Sequence, residues 1–152
     1  MNKLLPLLLL AAAGYFALRP AAPPAPPPAT APAIVHHEAA SDGAAALAEA
    51  QARHSSKVEL EIAGIVTKVL PDDRQGLRHQ RFIVRLANGQ TLLVAHNIDE
   101  APRVAGLQAG DRLRVHGEYI WNAKGGLLHW THRDQRGHHP DGWIRRDGQT
   151  YQ

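Results

Sequence analysis

Cysteine is absent from the chain of 152 residues. That removes disulfides, thiolate nucleophiles, cysteine-based zinc sites and the lipid-modified cysteine of a lipoprotein. A strong excess of one charge is missing as well, since 17 basic and 14 acidic residues leave only +3. Lys3 and Arg19 supply two of those charges within residues 1–33, which carry no acid. The remainder is close to neutral, whereas a polyanion-binding module concentrates basic residues. Aromatic residues make up only 5%. Single-strand binding draws about 1–3 kcal/mol per base from aromatic stacking, so this shortage also makes nucleic acid a weakly supported partner. No apolar run reaches the roughly 20 residues of a spanning helix. Histidine, in contrast, occurs ten times, and four of the ten lie between His129 and His139.

Four segments follow from composition. Met1-Asn2-Lys3 is a short positive start, and Leu4 to Leu18 is an apolar run interrupted by Pro6. Residues 1–19 read as a signal peptide, with an uncleaved N-terminal anchor as the alternative. Residues 20–40 are a linker rich in proline and alanine, a semi-rigid polyproline II spacer. Residues 41–56 hold a short helix that Ser41 or Asp42 can cap; its apolar content is mostly alanine, so weak packing is expected. Residues 57–152 form the folded domain. The expected location is periplasmic or secreted, or else anchored in the inner membrane facing the periplasm. Membrane contact is expected only through the N-terminal segment.

From Lys57 the apolar period becomes two, which is the strand signal. Val58, Leu60, Ile62 and Val66 mark a first strand with a bend at Gly64, and Phe82, Val84 and Leu86 a second. Asn88-Gly89 is a strong hairpin signal leading to a third strand, Gln90 to His96. A turn or short helix is expected around Asp99 to Val104. A fourth strand carries Leu113, Val115, Tyr119 and Trp121 inward, and a fifth runs from Leu127 to about Arg133. The tail is expected to end in a small hairpin around Asp147-Gly148. The fold class is all-β: a small five-stranded OB-like barrel, preceded by a short helix and the signal or anchor segment.

The segments GLRHQRFIVRL, GQTLLVAHNID, GDRLRVHGEYIWNAKGG and LLHWTHRDQRGHHPDGWI carry a resemblance. Over roughly residues 57–152 they resemble the bacterial domain-of-unknown-function family 3465, most specifically at His129-Trp130-Thr131-His132. The resemblance implies an exported OB-like domain and implies no activity. A looser likeness to the thermonuclease family, also built on an OB barrel, rests on Gly64, Val66, the Pro71-Asp72-Asp73 loop, Arg85-Leu86, Ile98-Asp99 and Pro102, but Asp72-Asp73 lack the usual pattern and the later catalytic Glu/Arg spacing is missing.

Two candidate sites follow from the residues themselves. A two-residue turn at Asn88-Gly89 pairs Ala87 with Gln90, so Phe82 faces Ala95, Val84 faces Leu93 and Arg81 faces His96. The outer face of these two strands then offers His79, Arg81, Arg85 and His96 to a ligand, with Arg81 and His96 able to share one anion. Trp130 and Trp143 flank the second constellation, residues 129–142. On a strand His129 and His132 point to opposite sides, whereas His132 and Asp134 share a face. The loop around Gly137 can bring His138, His139 or Asp141 back toward them. His132, Asp134, His138 and Asp141 are thus the candidate ligands of a divalent metal such as zinc. Parallel third and fifth strands would gather His79, Arg81, His96, His132 and Asp134 at one rim.

The expected function is an exported cell-envelope module that binds a small anionic ligand or an envelope component, or serves as an accessory. The alternative is a metal-assisted hydrolase, of a phosphodiester for example, using the histidine rim. No Ser-His-Asp or paired-carboxylate pattern supports another hydrolase class.

Overall fold

The computed structural model describes residues 38–152, so the signal or anchor segment and nearly all of the linker lie outside the described residues. The first element is helix α1 (Glu38–Ala52), which begins inside the expected linker. Seven strands follow: β1 (Val58–Asp73), β2 (His79–Leu86), β3 (Thr91–Asn97), β4 (Arg112–Ile120), β5 (Leu127–His129), β6 (Trp143–Arg146) and β7 (Gln149–Tyr151).

Five of the strands close into a ring in the order β1-β2-β3-β5-β4, with β4 returning to β1. Every neighbour is antiparallel except β3 and β5, which run parallel. The ring closes because β1 is long enough to serve two partners. Its first half pairs with β4, and its second half, from Gly64 on, pairs with β2. β1 runs on to Asp73 with irregularities at Val66/Lys68 and Leu70/Asp73. The β6–β7 hairpin extends the sheet from β4.

Alternation places Leu60, Ile62, Phe82, Val84, Leu86, Val115 and Tyr119 inside the ring, all buried. The third strand corrects the expected register. Leu86 N–H donates to Gln90 O, and Gly89 N–H donates to Leu86 O, which leaves Ala87, Asn88 and Gly89 as a three-residue loop. Gly89 takes the left-handed conformation such a loop requires (φ 87°). The loop therefore has one residue more than a two-residue turn, and β3 slides by one. Arg81 pairs with Ala95 and Gln80 with His96. Since the side-chain period is two, this slip turns Leu92, Val94 and His96 inward.

The ring is covered at both ends. At the end where β3 and β5 start, Gln51 of α1 donates to Gly125 O at 2.7 Å, and its Oε1 accepts from Gln90 Nε2 at 2.6 Å. The helix packs far better than its alanine content suggests, because Leu47 is fully buried, with Ala44 and Ala50 beside it. At the opposite end lies the segment 98–104, which is a turn without helix. Buried Gln80 binds it like a strand partner: its Nε2 donates to Val104 O at 3.0 Å, and its Oε1 accepts from Val104 N–H at 2.9 Å. The fifth strand ends at His129, four residues earlier than expected, because Trp130 adopts φ 51°. A left-handed backbone at a bulky residue costs about 1–2 kcal/mol and breaks the strand.

Removing the buried Leu47 side chain should leave a cavity between α1 and the ring. Leu47→Ala is expected to lower the unfolding free energy by about 3 kcal/mol in urea titration. A loss well under 1 kcal/mol would show that α1 is not docked. Val84→Asp should prevent folding by burying an unpaired charge; a soluble, fully stable Val84→Asp protein would invert the assignment of β2 faces.

Candidate functional site

Past the ends of β2, β3 and β5 the chain builds a pocket of about 200 Å³. Five imidazoles line it: His79, His129, His132, His138 and His139. Leu77, Asn97, Glu100, Trp130, Asp134 and Arg136 complete the wall. His79 and Asn97 are cross-strand partners at the end of β2 and β3, so one side of the pocket is a strand pair. The other side is the irregular segment 130–142.

That segment is held by its own polar groups. Asp134 accepts from Arg136 N–H at 2.8 Å through Oδ1, and from the N–H groups of His138 and His139 through Oδ2. Asp134 N–H donates to Asp141 Oδ1 at 2.9 Å. Desolvation opposes ionisation of Asp134, but the bonds from Arg136, His139 and His138 prevail and hold its carboxyl at about 2. At the base Gly142 N–H donates to His132 O at 2.9 Å. A Cβ on Gly142 would collide with Trp130 O and crowd Thr131 Cα, so only glycine closes the loop this tightly.

The imidazoles differ in their surroundings. His129 Nε2–H reaches Glu118 Oε1 at 3.2 Å. Burial lowers the pKa of His129, against the hydrogen bond it donates to Glu118. His132 Nδ1 lies 3.0 Å from Arg133 O, and His139 Nδ1 lies 2.7 Å from Pro140 O. A carbonyl can only accept, so each Nδ1 carries the hydrogen and each neutral ring keeps its lone pair on Nε2. The rings of His132 and His139 meet edge-on, with centroids 5.1 Å apart and planes at 88°. The His139 ring also lies 3.9 Å from that of Trp130.

His96 sits behind this wall, fully buried inside the ring. Its Nε2–H donates to Pro102 O at 3.1 Å, and its Nδ1 accepts from the Thr131 hydroxyl at 2.8 Å. One ring thus joins β3, the segment 98–104 and the start of the histidine loop. Desolvation is the main reason its pKa falls from 6.5 to about 4.

The residues expected from sequence divide accordingly. His79, Trp130, His132, Asp134 and His138 come together around the pocket. Arg81 and His96 do not share an anion: they are not paired, His96 faces inward, and Arg81 donates through Nε and Nη2 to Pro71 O at 3.1 and 3.0 Å. Arg85 is exposed opposite Thr91, away from the pocket. Trp143 stacks on His116, with the Arg145 guanidinium 4.0 Å from its ring centre, on the β4–β6 face. Asp141 supports the loop and is not part of the pocket wall. His132 and Asp134 are not related by strand parity, because β5 ends before them. Asn97, Glu100 and Arg136 were not singled out from the sequence. The correct register places Asn97 beside His79, but no local signal marks Glu100 or Arg136. Among the described residues no group of three or more His, Asp or Glu side chains is arranged around a common metal position.

His96 makes stability depend on pH. Its folded pKa lies below its unfolded value, so the unfolded chain takes the proton first. The stabilisation is fully present above pH 6.5 and is lost as the pH falls toward 4, by about 3 kcal/mol. Urea titrations at pH 7 and pH 4 should show a smaller difference for His96→Gln than for the parent. Equal differences would mean that His96 is not held neutral.

A family model described as Protein of unknown function (DUF3465) matches residues 31–152. No curated protein matches the chain.

Proposed function

The chain belongs to the family described as Protein of unknown function (DUF3465), and we propose that it is an exported, OB-like ligand-binding or accessory module of the cell envelope. The ring order supports the OB-like reading: an antiparallel β1-β2-β3 meander, a parallel β3–β5 contact and closure of β4 onto β1. Export rests on the positive start, the apolar run and the proline spacer at the N-terminus. Among the described residues no helix is long and apolar enough to cross a membrane.

One observation carries the binding function: five histidines and Arg136 line a single pocket at one end of a small ring. We take a small anion as the ligand. Arg136 and the rings of His79 and His138 supply donors, whereas the N–H groups of His129, His132 and His139 are taken by Glu118 and backbone carbonyls, and the Asp134 carboxylate is occupied by backbone N–H groups. The volume, about 200 Å³, limits the ligand to a small molecule or the tip of a larger envelope component. Metal-assisted hydrolysis, of a phosphodiester for example, is the second reading, favoured by the Nε2 lone pairs of His132 and His139. It ranks second because both aspartates of the loop, which could orient a metal-activated water, are already engaged by backbone N–H groups.

Two measurements test these readings. A fusion of residues 1–40 to a reporter enzyme active only in the periplasm should be active; a silent fusion, rescued by a known signal, would overturn export. In thermal melts with a panel of small phosphates and carboxylates, at least one should raise Tm by mass action on the folded state. The shift should disappear in Arg136→Ala and survive in Arg85→Ala. A shift lost in Arg85→Ala and kept in Arg136→Ala would move the site to the outer strand face, and no shift with any member would count against a small anion.

A further inference from the structure

We infer that His132 and His139 together bind one divalent transition ion of the zinc, nickel or copper class through their Nε2 atoms. The inference rests on the reading that this pocket is the ligand site, and it names the first ligand there. The chemistry begins with the tautomers. In both residues Nδ1 is committed to a backbone carbonyl, Arg133 O for one and Pro140 O for the other. This is the orienting bond that metal-binding imidazoles commonly make with their second nitrogen, because it fixes the ring and raises the basicity of the free one. Both free nitrogens belong to side chains that line the same pocket.

The spacing agrees. With metal–nitrogen bonds of about 2.0–2.1 Å, two imidazoles at a tetrahedral ion have centroids roughly 5 Å apart. The His132 and His139 centroids lie 5.1 Å apart, with planes nearly perpendicular. The pair is also built before any ion arrives. His132 is buried, the Trp130 ring lies 3.9 Å from that of His139, and Asp134 ties down the His139 backbone.

The same geometry revises the ligand set expected from sequence. Asp134 already accepts backbone N–H groups on both of its oxygens, which turns its carboxylate to the loop backbone. Asp141 Oδ1 is held by Asp134 N–H. Both aspartates therefore build the loop, and His139 takes the place assigned to a carboxylate. Two neutral imidazoles leave the ion its full positive charge and open coordination positions facing the pocket. The ion also offsets the negative charge of Glu100 on the wall, so an anionic ligand can bind it directly.

The test uses the purified full chain, treated with chelator and titrated with zinc chloride alone by calorimetry. His36 and His37 form a second histidine pair outside the described residues, so a His36→Ala/His37→Ala protein is titrated in parallel. One equivalent should bind in both proteins. His132→Ala and His139→Ala should each weaken binding at least tenfold, and His116→Ala, outside the pocket, should not. Because His132 is buried, His139→Ala decides if His132→Ala fails to fold. Copper(II) loaded in place of zinc should show coupling to two imidazole nitrogens in electron paramagnetic resonance. No zinc binding, unchanged binding in His139→Ala, or loss of binding with His36 and His37 would overturn the inference. Absent zinc binding beside an anion shift that depends on Arg136 defeats this inference alone. Absent zinc binding beside a shift that depends on Arg85 defeats the pocket reading with it.

Discussion

One carboxylate organises the end of the molecule that carries the histidines. The segment 130–142 has no regular secondary structure, so its backbone N–H groups need partners from somewhere else. Asp134 supplies acceptors for three of them, and Asp141 accepts the N–H of Asp134 in return. Without that centre nothing in the sheet would keep His138 and His139 over the ends of β2 and β3. The charge is therefore structural, although its position among histidines suggests a ligand. Its folded pKa lies below the ordinary carboxylate value, so this support is present above about pH 4 and is lost only as the pH falls through about 2.

The loop is also tied to the interior. His96 receives a hydrogen bond from Thr131 and gives one to Pro102, so a single buried ring spans three segments. Gln80, its cross-strand partner, does the same for Val104. These two buried polar side chains are fully used in fixing the cap of the ring. They account for the polar residues on the inner face of β2 and β3 at this end, where the backbone of segment 98–104 covers the ring and needs partners. The pocket thus stands on a rigid base, and its imidazoles need little reordering to meet a ligand.

Much of the fold was legible in the sequence, and the failures have specific causes. Alternation located the strands because each has one buried face, and the parallel contact of the third and fifth strands is present. The register differs by one residue from the sequence expectation because Asn-Gly suits both a two-residue turn and a three-residue loop, and only the Leu86–Gln90 hydrogen bond distinguishes them. That single residue moved His96 from an outer surface to the interior. The fifth strand is shorter than the sequence predicts because Trp130, despite its high strand propensity, takes a left-handed backbone. The helix was read as weakly packed because composition hides the position of one leucine. The density of histidines between 129 and 139 was visible from composition alone. Their meeting with His79 was also expected, from topology. Asn97, Glu100 and Arg136 were invisible because loops, which carry no period, deliver them.

The central claim is that the Asp134 carboxylate, ionised and held by backbone N–H groups, keeps the histidine loop in place. Carbon-13 NMR can follow that carboxyl directly as the pH is lowered. The account predicts a midpoint at about 2, clearly below the ordinary value of roughly 4 for aspartate. A midpoint in the ordinary range would show that Asp134 does not hold the loop, and the arrangement of the pocket would lose its foundation.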